Sequence, residues 1–175
     1  SALRLAAQDA ARHDDVADMI RRAEFGLRAA HAHGTVALRS HVDAHPDRFD
    51  RRFEALLELR AAWHGRIALQ LCPFAGQDAS EGWLAHLAAR TAAEKAGALS
   101  LFVQDGPGLD GFLDRAVELA GHHGLDLDFH ADETTDRRSR ASFRIVAAVR
   151  RAGFRGRVAV GHGVALAGCP AVTLH

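Results

Sequence analysis

The chain has 175 residues, 48% of them hydrophobic, and its 22 basic residues match its 22 acidic ones. This apolar content suffices for one hydrophobic core, so we treat residues 1–175 as a single domain. The charge balance and the lack of a long apolar run argue against a nucleic-acid or membrane partner. Two cysteines, Cys72 and Cys169, have neither metal-type spacing nor a disulfide framework, which favours a reducing cytoplasm.

Helices and strands alternate along the chain, and a glycine repeatedly separates a helix from the following strand. Glycine suits this position because helices commonly end in a left-handed residue. Helical stripes and short apolar runs predict five helix–strand pairs. In chain order these are a helix from about Asp14 or Asp15 to Gly34 with strand 35–40, helix 46–65 with strand 67–72, helix 80–96 with strand 98–103, helix 109–123 with the strand of His130, and helix 136–152 with strand 157–160.

Strands that are separated by helices run parallel, which leaves two architectures. One is an open doubly wound sheet, and the other is part of a (β/α)8 TIM-type barrel. An open sheet usually carries a Gly-rich phosphate loop, and no G-x-G-x-x-G spacing occurs here. We therefore predict an α/β fold that is a partial barrel of about five of the eight units, since a complete barrel takes about 250 residues.

Three of the predicted strands end in or near a histidine: His41, His130 and His162. Glu133 follows His130 by three residues. Because residues at the carboxyl ends of parallel strands line active sites, we expect these side chains to face one pocket. Most of the other histidines lie in amphipathic helices or at helix ends, where we interpret them as surface or capping residues.

Three segments carry a resemblance to the cytosine deaminase branch of the metal-dependent amidohydrolases. Arg39-Ser40-His41-Val42-Asp43 resembles the R-T/S-H-V-D signature of that branch on its second strand. His130-Ala131-Asp132-Glu133 resembles its fifth-strand H-C-D-E, and Val160-Gly161-His162 is similar to its sixth-strand histidine. The order and spacing agree from about Asp14 to Ala167. The resemblance implies a segment with strands 2 to 6 of a barrel, without the first, seventh and eighth strands.

The resemblance also implies a hydrolase that deaminates cytosine or a related cyclic amidine, with one divalent metal ion, Zn or Fe. His130 matches the metal ligand of the fifth strand. A metal-bound hydroxide would attack the amino-bearing ring carbon while Glu133 shuttles protons. His162 would hydrogen-bond the developing tetrahedral centre. Gln77, in a segment similar to the F-P-Q-E/D-G loop of the family, would read the pyrimidine edge.

Two interpretations remain open, because the H-x-H pair and the aspartate that complete the metal site of the family are not found in the sequence. The chain is either an inactive piece of a longer enzyme or an incomplete barrel that binds a ligand or partner. The expected ligand is a small molecule of the pyrimidine or triazine type. A five-stranded sheet exposes edges at 36–38 and 158–160, so we expect a homo-oligomer unless further strands cover them.

Overall fold

The computed structural model describes residues 15–168, which form two compact units. One unit contains residues 15–40 and 46–71, and the other contains 41–45 and 72–168. The segment 169–175, to which the sequence assigns no role, lies outside the described residues.

Helices and strands alternate as predicted. The helices are α1 (Val16–Ala32), α2 (Phe49–Ala62), α3 (Glu81–Ala93), α4 (Leu109–His123) and α5 (Ala141–Arg151). The strands are β1 (Ala37–Asp43), β2 (Ala68–Gly76), β3 (Ala98–Phe102), β4 (Asp126–Ala131) and β5 (Val158–His162), after which Val164–Gly168 form a short 3-10 helix.

The five strands form one sheet in the order in which they occur in the chain, β1-β2-β3-β4-β5. The pairs β2–β3, β3–β4 and β4–β5 are parallel. A doubly wound open sheet would reverse its strand order at a switch point, whereas a barrel adds each new strand beside the previous one. The sequential order therefore agrees with the predicted partial barrel.

In the second unit α4 packs against both α3 and α5, while α3 contacts β3 and α4 contacts β4. Its core contains the fully buried strand residues Leu99, Leu101, Leu127 and Phe129. Continuous burial along β3 fits a parallel strand that is covered on both faces. In the first unit, Phe49 and Phe53 of α2 stack with their ring centroids 4.9 Å apart, and both side chains are buried.

Two helices end at the glycines that the sequence indicates. Gly124 follows α4 and Gly153 follows the last turn of α5, with φ angles of 65° and 59°. A side chain with a Cβ would be strained there, so glycine is the residue that lets the chain turn directly into the next strand.

Several boundaries differ from the predictions, and three of them bear on the residues of interest. Strand β1 continues beyond Ser40 to Asp43, so His41 lies within the strand. Strand β2 continues through Pro73 to Gly76, so most of the segment predicted as a loop is strand. Helix α5 begins at Ala141 instead of Asp136, because residues 136–140 form a loop in which Asp136 accepts hydrogen bonds from Arg138.

Among the helices of the described residues, none is both long and apolar enough to cross a bilayer.

Candidate active site

Strand β4 brings two polar side chains to the same face of the sheet. Asp128 and His130 are two residues apart, and side chains at this spacing point the same way from a strand. Asp128 is buried, with 8% of its surface exposed, while Phe129 between them is fully buried. Burial, and after it the neighbouring His41, hold the pKa of His130 below the ordinary value. The imidazole is therefore neutral at neutral pH, which is the form that binds a metal ion.

His41 of β1 meets both of these side chains. Its Nε2 atom lies 3.2 Å from Oδ2 of Asp128 and 3.2 Å from Nε2 of His130. The His41 ring stands nearly perpendicular to that of His130, at 89°, and Phe74 of β2 contacts both rings. The side chain of His41 keeps 33% of its surface exposed. The buried carboxylate thus has two imidazoles above it that solvent can reach.

The other edge of His130 faces β5. Its Nδ1 atom lies 3.1 Å from Nε2 of His162, and that Nε2 is 3.8 Å from Oε2 of Glu133. Glu133 follows β4 directly and its side chain is 54% exposed. His162 adopts a left-handed conformation with φ of 68°, which turns the chain out of β5 at this point. A continuous chain of five polar side chains therefore runs from buried Asp128 through the three histidines to Glu133.

The group His41, Asp128 and His130 fits a divalent metal ion. One ligand atom from each lies within 4.8 Å of the others. Bonds of about 2.1 Å at a tetrahedral angle place two ligand atoms about 3.4 Å apart, close to the 3.2 Å found for His41 with either partner. Two imidazoles and a carboxylate are also a donor set that suits Zn²⁺ and non-haem Fe²⁺.

Asp132 lies between His130 and Glu133 but points away from the histidines. Its carboxylate accepts hydrogen bonds from Ser139 Oγ at 2.5 Å and from the backbone N–H groups of Ala141 and Ser142 at 3.1 and 2.9 Å. Burial raises the pKa of Asp132, but these hydrogen bonds together outweigh it and hold the pKa below the usual value. The ionised carboxylate thus caps α5, whose own N-cap Arg140 makes no side-chain capping bond.

A cavity of about 510 Å³ opens at the carboxyl ends of β3 and β4, and Phe102, Gln104, Glu133 and Ser139 lie in its wall. Gln77 contacts this wall indirectly, because its Oε1 atom accepts a 2.8 Å hydrogen bond from the backbone N–H of Gln104. With its carbonyl oxygen engaged, Gln77 retains its amide N–H groups for a ligand.

The structure thus brings His130, Glu133 and His162 together, and it places Gln77 against the neighbouring loop. The sequence motifs predict no metal-binding role for His41 or Asp128. The strand-end position of His41 and the D-x-H spacing of Asp128 and His130 were the available signals. Neither signal reveals that the two strands approach within hydrogen-bond distance.

Comparisons with known proteins agree with this fold. No protein-family model matches the chain. A pterin deaminase of Rhizobium rhizogenes (strain K84 / ATCC BAA-868) is 39% identical in an alignment of 170 residues that covers 93% of this chain and 39% of the relative. The chain therefore spans about two fifths of the length of this relative.

Solved structures show the same arrangement. The 5-methylcytosine deaminase from Klebsiella pneumoniae superposes with a TM-score of 0.73 when liganded with 5-fluorocytosine and 0.76 with phosphonocytosine, at 20% and 22% identity. Each match covers 91% of this chain and 39% or 40% of that structure. The N-isopropylammelide isopropylaminohydrolase from Burkholderia multivorans ATCC 17616 matches with a TM-score of 0.67 and 22% identity, over 83% of this chain and 38% of its own.

The fold is therefore a partial (β/α)8 barrel that carries histidines and carboxylates at the carboxyl ends of its strands, as the sequence predicted. The predicted resemblance to the metal-dependent amidohydrolases is confirmed as well, because the chain is similar in sequence to a pterin deaminase and in fold to a 5-methylcytosine deaminase and an N-isopropylammelide isopropylaminohydrolase.

Proposed function

We propose that the full-length protein containing this chain is a metal-dependent hydrolase that removes the amino group of a nitrogen heterocycle. The observation that carries this proposal is the convergence of His41, Asp128, His130, His162 and Glu133 at one edge of the sheet. The 39% identity to a pterin deaminase supports the reaction class.

One divalent ion, Zn²⁺ or Fe²⁺, would be held by His130 together with His41 and Asp128. Such an ion supplies a nucleophile at neutral pH by lowering the pKa of a coordinated water. Asp128 is the buried member of the set, and its Oδ2 atom lies 3.2 Å from the Nε2 atom of His41, a spacing at which both atoms can reach one ion. The low pKa of His130 keeps its imidazole available as a ligand instead of a proton carrier.

Glu133 is placed to move protons. Its carboxylate is half exposed, lines the cavity and lies 3.8 Å from His162, so it can reach both a bound heterocycle and the solvent. Deamination requires a proton on the ring nitrogen and a second on the departing amine, and a carboxyl in this position can deliver both. His162 lies between His130 and Glu133. It would donate a hydrogen bond to the oxyanion that develops on the amino-bearing ring carbon of the substrate.

Two substrate classes fit the cavity wall, a pterin or a cytosine-like pyrimidine. Both present an amino group on a carbon beside a ring nitrogen, and a volume of about 510 Å³ falls within the usual range of small-molecule sites. The amide of Gln77, oriented by the backbone of Gln104, would donate to a ring carbonyl or nitrogen. The relative named as a pterin deaminase favours the pterin.

The test is an assay of ammonia release by the full-length protein with pterin, cytosine and an aminotriazine. We expect turnover of at least one of the three, loss of turnover after chelation, and recovery when Zn²⁺ or Fe²⁺ is restored. Absence of ammonia from all three with metal-loaded protein would reject the proposal. Binding of a heterocycle without turnover would instead support the alternative, a barrel that acts as a binding module.

A further inference from the structure

Asp132 has an unusual backbone conformation directly beside the site. Its φ angle is 55°, in the left-handed region that few residues other than glycine adopt, although aspartate and asparagine do so more readily than most. It is also 2% exposed, the most buried acidic residue in the described part of the chain. A strained backbone persists only where its surroundings hold it in place.

Hydrogen bonds to the side chain of Asp132 are the first of two sets of contacts that stabilise this backbone conformation. Its three hydrogen bonds, from Ser139 Oγ and the N–H groups of Ala141 and Ser142, attach it to the first turn of α5 and to the loop just before that helix. Hydrogen bonds to an ionised carboxylate are among the stronger ones in proteins, and these are shielded from solvent.

Hydrogen bonds to the main chain are the second set of contacts. The carbonyl oxygen of Asp132 accepts a 3.2 Å hydrogen bond from Ala165 N–H, and the carbonyl of Ala131 accepts a 3.1 Å bond from Gly163 N–H. Gly163 directly follows His162, and Ala165 lies three residues after it. The residue that precedes Glu133 is thus tied on one side to α5 and on the other to the segment that carries His162.

We propose that Asp132 is a positioning residue, which holds the carboxylate of Glu133 against His162 and the bound heterocycle. The inference rests on the proposed function, because it acts through Glu133. Glu133 itself is half exposed and makes no hydrogen bond among those found for the described residues, so the position of its backbone determines where its carboxylate can reach. Without the anchor at Asp132, the loop of residues 133–138 would sample positions in which Glu133 leaves His162.

Asp132→Asn is the informative variant. Asparagine tolerates the left-handed conformation and keeps the size of the side chain, but its amide nitrogen cannot accept a hydrogen bond from α5. Asp126→Asn is the matched control. Asp126 also joins β4 to β5 through a carboxylate that accepts a backbone N–H, that of Arg157 at 2.8 Å, but it lies at the opposite end of β4.

In the full-length, metal-loaded protein we expect Asp132→Asn to lower kcat by about 10- to 100-fold, since a small misplacement of a catalytic group costs about this much. KM and metal content should change by less than about twofold, because the substitution leaves the residues that would bind the substrate and the metal unchanged. Asp126→Asn should leave kcat unchanged. The double variant with Glu133→Gln should be no slower than Glu133→Gln alone, because residues that act as one unit are not additive.

Hydrogen exchange gives a readout that needs no turnover. The backbone amides of residues 133–138 should exchange faster in Asp132→Asn than in wild type, and they should be unchanged in Asp126→Asn. Unchanged exchange, an unchanged kcat, or additive effects in the double variant would each overturn the inference while leaving the proposed function intact. Equal kcat in wild type and Glu133→Gln would instead refute the role of Glu133, and the inference would fail with it.

Discussion

Strands β4 and β5 lie side by side in register and each carries one histidine of the site, yet they differ in how they are packed. Phe129 of β4 is fully buried, whereas Val160, its register partner on β5, is 41% exposed. Strand β4 pairs with β3 as well as β5, while β5 pairs only with β4 among the described residues.

The difference shows how one site can join a rigid element to a less constrained one. A metal ligand needs a fixed direction, and β4 holds His130 between the buried residues Phe129 and Ala131. A proton-transfer group tolerates more movement, and His162 and Glu133 both lie where packing is sparse and solvent has access. We therefore expect substitutions on the two strands to have different consequences.

The largest effect should come from the two histidines. In the full-length protein, His130→Ala should weaken metal binding by at least about 100-fold, because loss of an outer partner alone costs about 10- to 100-fold. His162→Ala should retain the metal and lower kcat. Metal content by elemental analysis, with kcat measured in parallel, checks both. Loss of metal from His162→Ala would mean that β5 supplies a ligand and that the two strands have the same role.

Glu133→Gln should have the next largest effect, a fall in kcat of about two to four powers of ten with the metal still bound. Glutamine keeps the size of the side chain but carries no proton to exchange. Steady-state kinetics on the substrate identified by the ammonia assay measures the change. Full turnover by this variant would place the proton shuttle on another residue.

Stability should distinguish the same two strands. Phe129→Ala should lower the free energy of unfolding by about 3–5 kcal/mol, since it removes a large buried side chain. Val160→Ala, at the paired position, should cost less than about 1 kcal/mol. Urea unfolding of both full-length variants provides the comparison. Equal losses would show that Val160 is covered in the complete protein.

The smallest effect should come from the ion pair that joins the strands at their other end. The guanidinium of Arg157 lies 2.8 Å from the carboxylate of Asp126, with 86% of the Arg157 side chain exposed. Because solvent and salt screen such a pair, Arg157→Ala should cost less than about 1 kcal/mol. Unfolding in 1 M NaCl should bring wild type and variant closer together. A larger, salt-independent loss would indicate that the arginine stem contributes packing.

Sequence patterns were sufficient for the order and type of the elements. Helix α4 lies at the predicted residues, Leu109–His123, because its apolar stripe and Gly124 are local signals. The predicted start of α5, Asp136, was wrong by five residues, because the helix begins at Ala141. Its first N–H groups are satisfied by the carboxylates of Asp105 and Asp132, from two preceding loops, and no local pattern records such a distant cap.

The site was predictable in part for the same reason. His130, Glu133 and His162 follow from strand ends and a family motif, which are properties of single segments. The contact of His41 with Asp128 depends on the relative register of residues 87 positions apart, and that register is fixed by packing of the intervening strands. The hydrogen bonds that anchor Asp132 likewise depend on its left-handed backbone conformation, and the motif H-A-D-E does not predict that conformation.

The sequential strand order also bears on how the chain is made. Each strand lies beside the one synthesised just before it, with a single helix between them. Among the strands that the structure describes, each of β2 to β5 therefore finds a partner already present when it leaves the ribosome. Folding of this part of the protein can proceed from the N-terminus during translation, one helix–strand unit at a time.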